Sequence, residues 1–384
     1  MKPLENARIA IVHEWLIVFG GSERVVVDIL RAFPQADLFA IAYDREGVRG
    51  TPLENVPVRT TRIQSLPSVD KRYRIYLPLM PLAVEQLDLR RYDLIISSNH
   101  AVAKGVLTRA DQLHVSYTHT PIRYAWDFYL DYLSDSGMDR GPKTWLVRPL
   151  LHYLRMWDTL AAERVDVYLA NSLNVSRRIW KLYRRSSQVL YPPVDVGRYQ
   201  CNLPREEFYV TVSRFVPYKR IDLIIDTFTR MGKPLVVIGE GPEFKQVQRL
   251  AGSNVKLLGY QPDEVVTHYL QQARAFVFAA DEDFGIIPLE AQAAGCPVIA
   301  YSKGGALETV VGWPAPEATG VLYDDQTPEA LETAVQHFEA HEDDFTPAAC
   351  RRNAERFGRE RFGRELRATV ANLWDRFHSG ESLE

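Results

Sequence analysis

The feature that most limits what this chain can fold into is an alternation. Short runs of Val, Ile, Leu and aromatic residues are followed, almost from end to end, by segments with apolar residues at every third or fourth position. Near-continuous apolar runs mark strands buried on both faces, so the pattern predicts βαβ units wound into parallel sheets with helices on both sides. In the first half the predicted strands are 8–14, 93–99, 113–119 and 165–172; the pattern restarts at 208–215 and continues through 234–240, 255–260, 275–280 and 297–302. At 384 residues the chain exceeds what one core usually organises, so two domains are expected. The adjacent Pro192 and Pro193 disfavour helix and stiffen the chain, which puts the interdomain linker within 190–207. Near the end, Phe362, Leu366, Val370, Leu373 and Phe377 recur at helical spacing. That stripe must pack on something, and periodicity does not say on which domain.

Composition removes several classes. The apolar content of 46% and charged content of 25% fit a globular protein, and no stretch has the roughly 18 uninterrupted apolar residues of a membrane span. Cys201, Cys296 and Cys350 are too few and too scattered for a disulfide framework or a zinc site, which implies a reducing compartment. The amino-terminal stretch lacks the basic-then-apolar run of a signal peptide, so a cytoplasmic location is expected, with the inner face of a membrane as the other candidate place. Residues 1–200 carry 27 Lys and Arg against 21 Asp and Glu, whereas residues 201–384 carry 19 against 28. Either the first half meets an anionic surface or the charge is uneven and solvated. Segments 71–93 and 142–166 mix Arg and Lys with Trp, Tyr and Leu, which suits an element on an anionic bilayer and equally a core-facing helix with a basic outer side. Nothing points to nucleic acid.

In an open parallel sheet, ligands bind outside the carboxyl ends of the strands, which singles out the residues just after each predicted strand. After 275–280 comes Asp281-Glu282-Asp283-Phe284-Gly285, then a helix predicted to begin near Ile286. The backbone N–H groups of Phe284, Gly285, Ile286 and Ile287 would form a helix amino terminus, an anion site that Gly285 lets a ligand approach closely. Glu282 precedes that helix and Glu290 lies in its second turn. Carboxylates so placed suit the paired hydroxyls of a ribose or hexose, or act as a helix-capping acid and a partly solvated helical residue. After the first strand of the second half, Arg214 and then Lys219 precede the next helix; two cations converging there would hold a diphosphate and neutralise charge as it leaves. In the first half, Gly20 and Gly21 follow the first strand, with Ser22 as a candidate N-cap. Neither this turn nor Gly239 and Gly241, with Phe244 in third place, completes a G-x-G-x-x-G fingerprint, which argues against a dinucleotide enzyme. After 113–119, His119, Arg123, Trp126 and Asp127 form a polar and aromatic cluster where a substrate would sit.

At these residues the sequence resembles the retaining, GT-B-fold glycosyltransferases that use nucleotide sugars. The matching pieces are Gly20-Gly21, His119 in "THTP", Arg214 and Lys219 in "SRFVPYKRID", "GEGP" from Gly239, and the E-x7-E motif formed by Glu282 and Glu290, in the family's order along nearly the whole chain. The resemblance implies an α/β protein of two Rossmann-like, doubly wound parallel-sheet domains facing across a cleft. Residues 1–195 would bind the acceptor, 196–358 the nucleotide sugar, and a helix in 359–384 would cross back to the first domain. It further implies that Arg214 and Lys219 hold the donor diphosphate, Glu290 the ribose, and Glu282 with the 284–287 backbone the sugar. Gly20, Gly21 and Gly239 would lie on the donor side, His119 near the reacting carbon, and Arg123, Trp126 and Asp127 on the acceptor side. "THTPIRYAWD" and "DEDFGIIPLEAQAAG" look most like the bacterial mannosyltransferases that build O-antigen and capsule polysaccharides from GDP-mannose, with a glycan or lipid-linked glycan as acceptor. A UDP-sugar donor is the alternative. The nucleotide sugar would be a substrate, with no separate cofactor. Asp281-Glu282-Asp283 reads formally as D-x-D, the metal-diphosphate motif of another glycosyltransferase fold, but the resembling family is metal-independent. A sugar-nucleotide epimerase or dehydrogenase would need the missing fingerprint, and a non-catalytic nucleotide-sugar binder would not need His119.

Overall fold

The computed structural model describes residues 3–127, 129 and 144–383. Contacts divide the chain into two units, Met1–Tyr191 with Phe362–Glu384, and Pro192–Arg361. The first crossing falls at the paired prolines, a few residues before the sequence-based boundary at 195.

In the first unit β1 (Ile9–Leu16), β2 (Asp37–Tyr43), β3 (Val58–Thr60), β4 (Leu94–Asn99), β5 (Leu113–Thr118), β6 (Val167–Ala170) and β7 (Gln188–Val189) form one seven-stranded sheet in the order β3-β2-β1-β4-β5-β6-β7. Every pairing in it is parallel. Sequence reading placed four of these strands and missed β2, whose Ala40 and Ala42 lack the β-branched bulk that marks a strand, and the very short edge strands β3 and β7. The last helix, Arg359–Ser379, buries Phe362, Leu366, Val370, Leu373 and Trp374 in the core that also holds Val25, Val26, Ile29, Leu94 and Ile96, so its apolar stripe completes the first unit.

In the second unit β8 (Tyr209–Val212), β9 (Leu235–Ile238), β10 (Val255–Gly259), β11 (Ala275–Phe278), β12 (Val298–Tyr301) and β13 (Gly320–Tyr323) give a six-stranded parallel sheet in the order β10-β9-β8-β11-β12-β13. All but β13 were legible in the sequence. Both sheets grow outward from their first strand in one direction and then, from the fourth, in the other. Strand order therefore reverses between β1 and β4 and between β8 and β11, and the crevice at such a reversal is where doubly wound sheets take ligands.

Candidate active site

In the second unit the segment after β8 runs through the turn Pro217–Lys219 into the helix Ile221–Met231. The segment after β11 runs through Asp281–Gly285 into the helix Ile286–Ala293. These are the two exits flanking the reversal. Lys219 and Glu282 meet there in an ion pair, with side chains only 15% and 20% exposed. Glu282 is held in place by its own backbone, whose carbonyl accepts from Gly305 N–H at 2.8 Å. Gly285 caps the following helix at φ 82°, in the left-handed region that glycine adopts without strain. Pro288 has no N–H, so Ile286 and Ile287 supply the donors of the first turn. Glu290 lies further along the same helix, 9% exposed, and Phe284 is buried against Phe357 with ring centroids 5.7 Å apart.

Arg214 and Gly239 stand apart from this pair. Arg214 stands after β8, but its side chain is exposed, and among the described residues its guanidinium makes no ion pair with Glu282. The structure thus brings Lys219 and Glu282 together and leaves Arg214 outside that pair. Gly239 is explained by packing: at φ 137°, a Cβ there would lie 1.8 Å from the Ser213 carbonyl oxygen, so only glycine lets the exit of β9 run against the exit of β8.

In the first unit the helix Gly21–Ala32 starts directly after the turn following β1, so the N-cap is Gly20 and not Ser22. The side chain that caps is Glu23, whose Oε2 accepts from Gly20 N–H at 2.9 Å. The other oxygen, Oε1, lies 3.3 Å from His13 Nε2. Burial alone would raise the Glu23 pKa, but the hydrogen bond to His13 and the electrostatics of His13 and His100 hold it at about 2. His13 and Ser98 sit opposite each other across the β1–β4 ladder, with His13 Nδ1 3.1 Å from Ser98 Oγ. Ser98 Oγ in turn lies 2.8 Å from Nε2 of His119, the first residue past β5. Burial pushes the His119 pKa well below the ordinary histidine value and lowers that of His100 as well.

The acceptor-side candidates are partly committed elsewhere. Trp126 donates its indole N–H to Asp158 at 2.8 Å, and fully buried Asp158 also takes the Tyr183 hydroxyl at 2.8 Å and an ion pair from fully buried Lys104. Asp127 is paired with Arg178, which also donates to Thr120 Oγ1 at 2.7 Å. Arg123 is half-buried in the same turn. Sequence reading missed His13, Glu23 and Ser98. The signal that could have found them was "VHEW" in β1: a strand buried on both faces should not carry a histidine and a carboxylate unless both find partners. Its Glu14 finds four, the backbone N–H groups of His100, Ala101, Val102 and Ala103 at 2.7–3.1 Å. Among the described residues no group of three or more His, Cys, Asp or Glu could hold a metal ion.

Comparison with known proteins agrees with this fold. Residues 201–357 match the family described as glycosyl transferases group 1, and residues 19–198 match glycosyltransferase family 4. The structure of Anabaena Alr3699/HepE in complex with UDP superposes with a TM-score of 0.68 over 95% of this chain and 100% of that one, at 18% identity. Sucrose-phosphate synthase from Thermosynechococcus elongatus gives 0.66 over 97% and 100%, also at 18%. Each doubly wound domain thus matches a glycosyltransferase model, and the chain is a glycosyltransferase of the GT-B fold whose second half is similar to group 1 and whose first half is similar to family 4. Its relatives include mannosyltransferases. The alpha-1,3/1,6-mannosyltransferase alg2 of Schizosaccharomyces pombe is 23% identical over 85% of this chain and 75% of its own length. The GDP-mannose-dependent alpha-(1-6)-phosphatidylinositol monomannoside mannosyltransferase of Mycolicibacterium smegmatis is 33% identical over 33% of this chain and 37% of its own.

Proposed function

We propose that this chain is a retaining hexosyltransferase that moves mannose from GDP-mannose onto a lipid-linked glycan in surface polysaccharide synthesis. The observation that carries the reading is the meeting of Lys219 and Glu282 at the exits of β8 and β11, beside the amino terminus of the Ile286–Ala293 helix. A donor diphosphate would exchange with Glu282 for the Lys219 ammonium and take the first-turn N–H groups, leaving Glu282 for a sugar hydroxyl and Glu290 for the ribose. As the anomeric C–O bond breaks, its electron pair goes to the leaving diphosphate, and Lys219 with the helix amides stabilises that charge. The acceptor hydroxyl passes its proton to the leaving phosphate oxygen and bonds the anomeric carbon on the same face, so configuration is retained without a protein nucleophile. Names of relatives support mannose and GDP; the UDP-bound structural neighbour favours a UDP-sugar as the second reading.

A lipid-linked acceptor fits the outer face of the helix Thr144–Ala162. Trp145, Leu146 and Leu160 are 86%, 77% and 65% exposed, Tyr153 and Met156 are exposed on the same side, and Arg148 accompanies them. The helix's one acid, Asp158, is fully buried, so this face offers apolar and cationic groups to an anionic bilayer. Among the described residues no helix is long and apolar enough to cross a membrane. Co-sedimentation with phosphatidylglycerol vesicles, lost in Leu146→Glu/Leu160→Glu, tests the contact.

The donor is tested by thermal unfolding with GDP-mannose, UDP-glucose and UDP-N-acetylglucosamine, since a ligand that binds the native state raises Tm. GDP-mannose should give the largest rise. A larger rise with a UDP-sugar would replace the donor, and no rise with any of them would remove the reading.

A further inference from the structure

We propose that Glu23, His13 and Ser98 form a hydrogen-bond relay that sets which tautomer of His119 is offered to substrate, making them positioning residues for glycosyl transfer. The inference rests on the proposed function only in taking His119 as a residue that meets substrate.

Four separate elements supply the chain: the Gly21–Ala32 helix gives Glu23, β1 gives His13, β4 gives Ser98, and the residue after β5 is His119. His13 and Ser98 are fully buried and Glu23 nearly so. Polar groups so buried cost stability unless they bond one another, and here each does. The links are 3.3 Å from Glu23 Oε1 to His13 Nε2, 3.1 Å from His13 Nδ1 to Ser98 Oγ, and 2.8 Å from Ser98 Oγ to His119 Nε2.

Donor and acceptor inventory gives the chain a direction. Glu23, ionised, can only accept, so His13 Nε2 carries the hydrogen. In a singly protonated His13 that leaves Nδ1 as an acceptor, and the Ser98 hydroxyl must donate to it. The Ser98 oxygen then accepts from His119 Nε2–H, and His119 is left with a lone pair on Nδ1. A sugar presents hydroxyl donors, and an imidazole lone pair is a matching acceptor.

The same heavy atoms support a second setting. A further proton on His13 makes Nδ1 a donor, and that nitrogen lies 3.3 Å from the Ser98 carbonyl oxygen as well as 3.1 Å from its hydroxyl. Ser98 O–H then turns to His119 Nε2, which releases its proton to solvent while Nδ1 takes one up from solvent, and the open edge becomes a donor. The other polar and titratable groups facing the chain are His100, with ring centroids 6.0 Å from His13 and 6.3 Å from His119, Glu14 under the His100 backbone, and Tyr117, 5.2 Å from the His119 ring. A single proton thus inverts the hydrogen-bonding sense of a substrate-facing side chain with no backbone movement.

The test is nitrogen-15 NMR of the histidine rings in the full chain, alongside kcat/KM against pH, for the wild type, Ser98→Ala, Ser98→Thr and His119→Ala, with thermal unfolding to show that each variant is folded. At pH 7.5 wild-type His119 should be the Nε2–H tautomer. Ser98→Ala should mix the tautomers, lower kcat/KM about tenfold, roughly one hydrogen bond to substrate, and shift the acid limb of the profile; Ser98→Thr should restore all three. An Nδ1–H tautomer in the wild type, or an unchanged tautomer in Ser98→Ala, overturns the relay. Tautomers that follow Ser98 while His119→Ala keeps full kcat/KM would instead overturn the placement of substrate at His119.

Discussion

Replacing Lys219 by alanine should remove most of the turnover and little of the fold. Its ammonium is largely shielded, at 15% exposure, and already rests against a carboxylate, which shows that the position can hold an anion. Two unit charges about 4 Å apart interact by about 4 kcal/mol at an effective dielectric of about 20. Partial solvation and the neighbouring helix N–H groups share that load, so the loss expected in the transition state is roughly 3 kcal/mol, in the range found for single donors to a developing oxyanion. At 1.36 kcal/mol per factor of ten, kcat should fall by about 10²-fold to 10³-fold. KM should move less, because negative charge on the diphosphate grows as the sugar departs. Lys219→Arg, which keeps the charge, should lose less. The assay is initial-rate release of nucleoside diphosphate with a saturating glycan-lipid acceptor, paired with a melting curve. A folded Lys219→Ala variant whose kcat stays within about threefold of wild type would refute the assignment.

Asp158→Ala should destabilise the first unit by roughly 3–5 kcal/mol, because it strands the buried Lys104 charge and two further donors, and Lys104→Met/Asp158→Leu should recover much of that in urea unfolding. Leu366→Ala, on the fully buried stripe of the last helix, should cost roughly 2–5 kcal/mol in the same assay, whereas a helix not packed in a core would lose almost nothing. Burial lowers the His114 pKa to about 4 from the ordinary 6.5. A depressed histidine contributes stability that is complete above the unfolded value and is lost as pH falls through the folded one, so Tm should drop between about pH 6.5 and pH 4, and less steeply in His114→Asn.

Much of the second unit was legible because its chemistry follows its strands in the chain: once a run such as 275–280 is read as a buried strand, the residues after it must lie at the sheet's carboxyl edge. Glu282, Gly285 and Glu290 were placed at that edge in this way. The geometry of the cations was not, because spacing in sequence says that Arg214 and Lys219 leave the same strand but not which side chain turns inward. Trp126 and Asp127 looked free for substrate since their partners, Asp158 and Arg178, are 32 and 51 positions away. The His13–Ser98 contact joins residues 85 apart through the β1–β4 ladder, a pairing that becomes visible only when strand order is known. Strand β2 escaped because Ala40 and Ala42 interrupt its strand-forming Phe39, Ile41 and Tyr43, and its place between β1 and β3 is what makes it a strand.

The central claim is same-face transfer of a hexose from a nucleoside diphosphate whose departing charge Lys219 helps to stabilise. It is tested most directly by following the anomeric carbon of a carbon-13-labelled α-configured donor by NMR during turnover, with the one-bond carbon–proton coupling identifying the first-formed glycoside. The account expects an α-glycoside from the start, formed at a rate that collapses in Lys219→Ala. A β-glycoside as the first product, or an α-glycoside formed equally fast without Lys219, would contradict it.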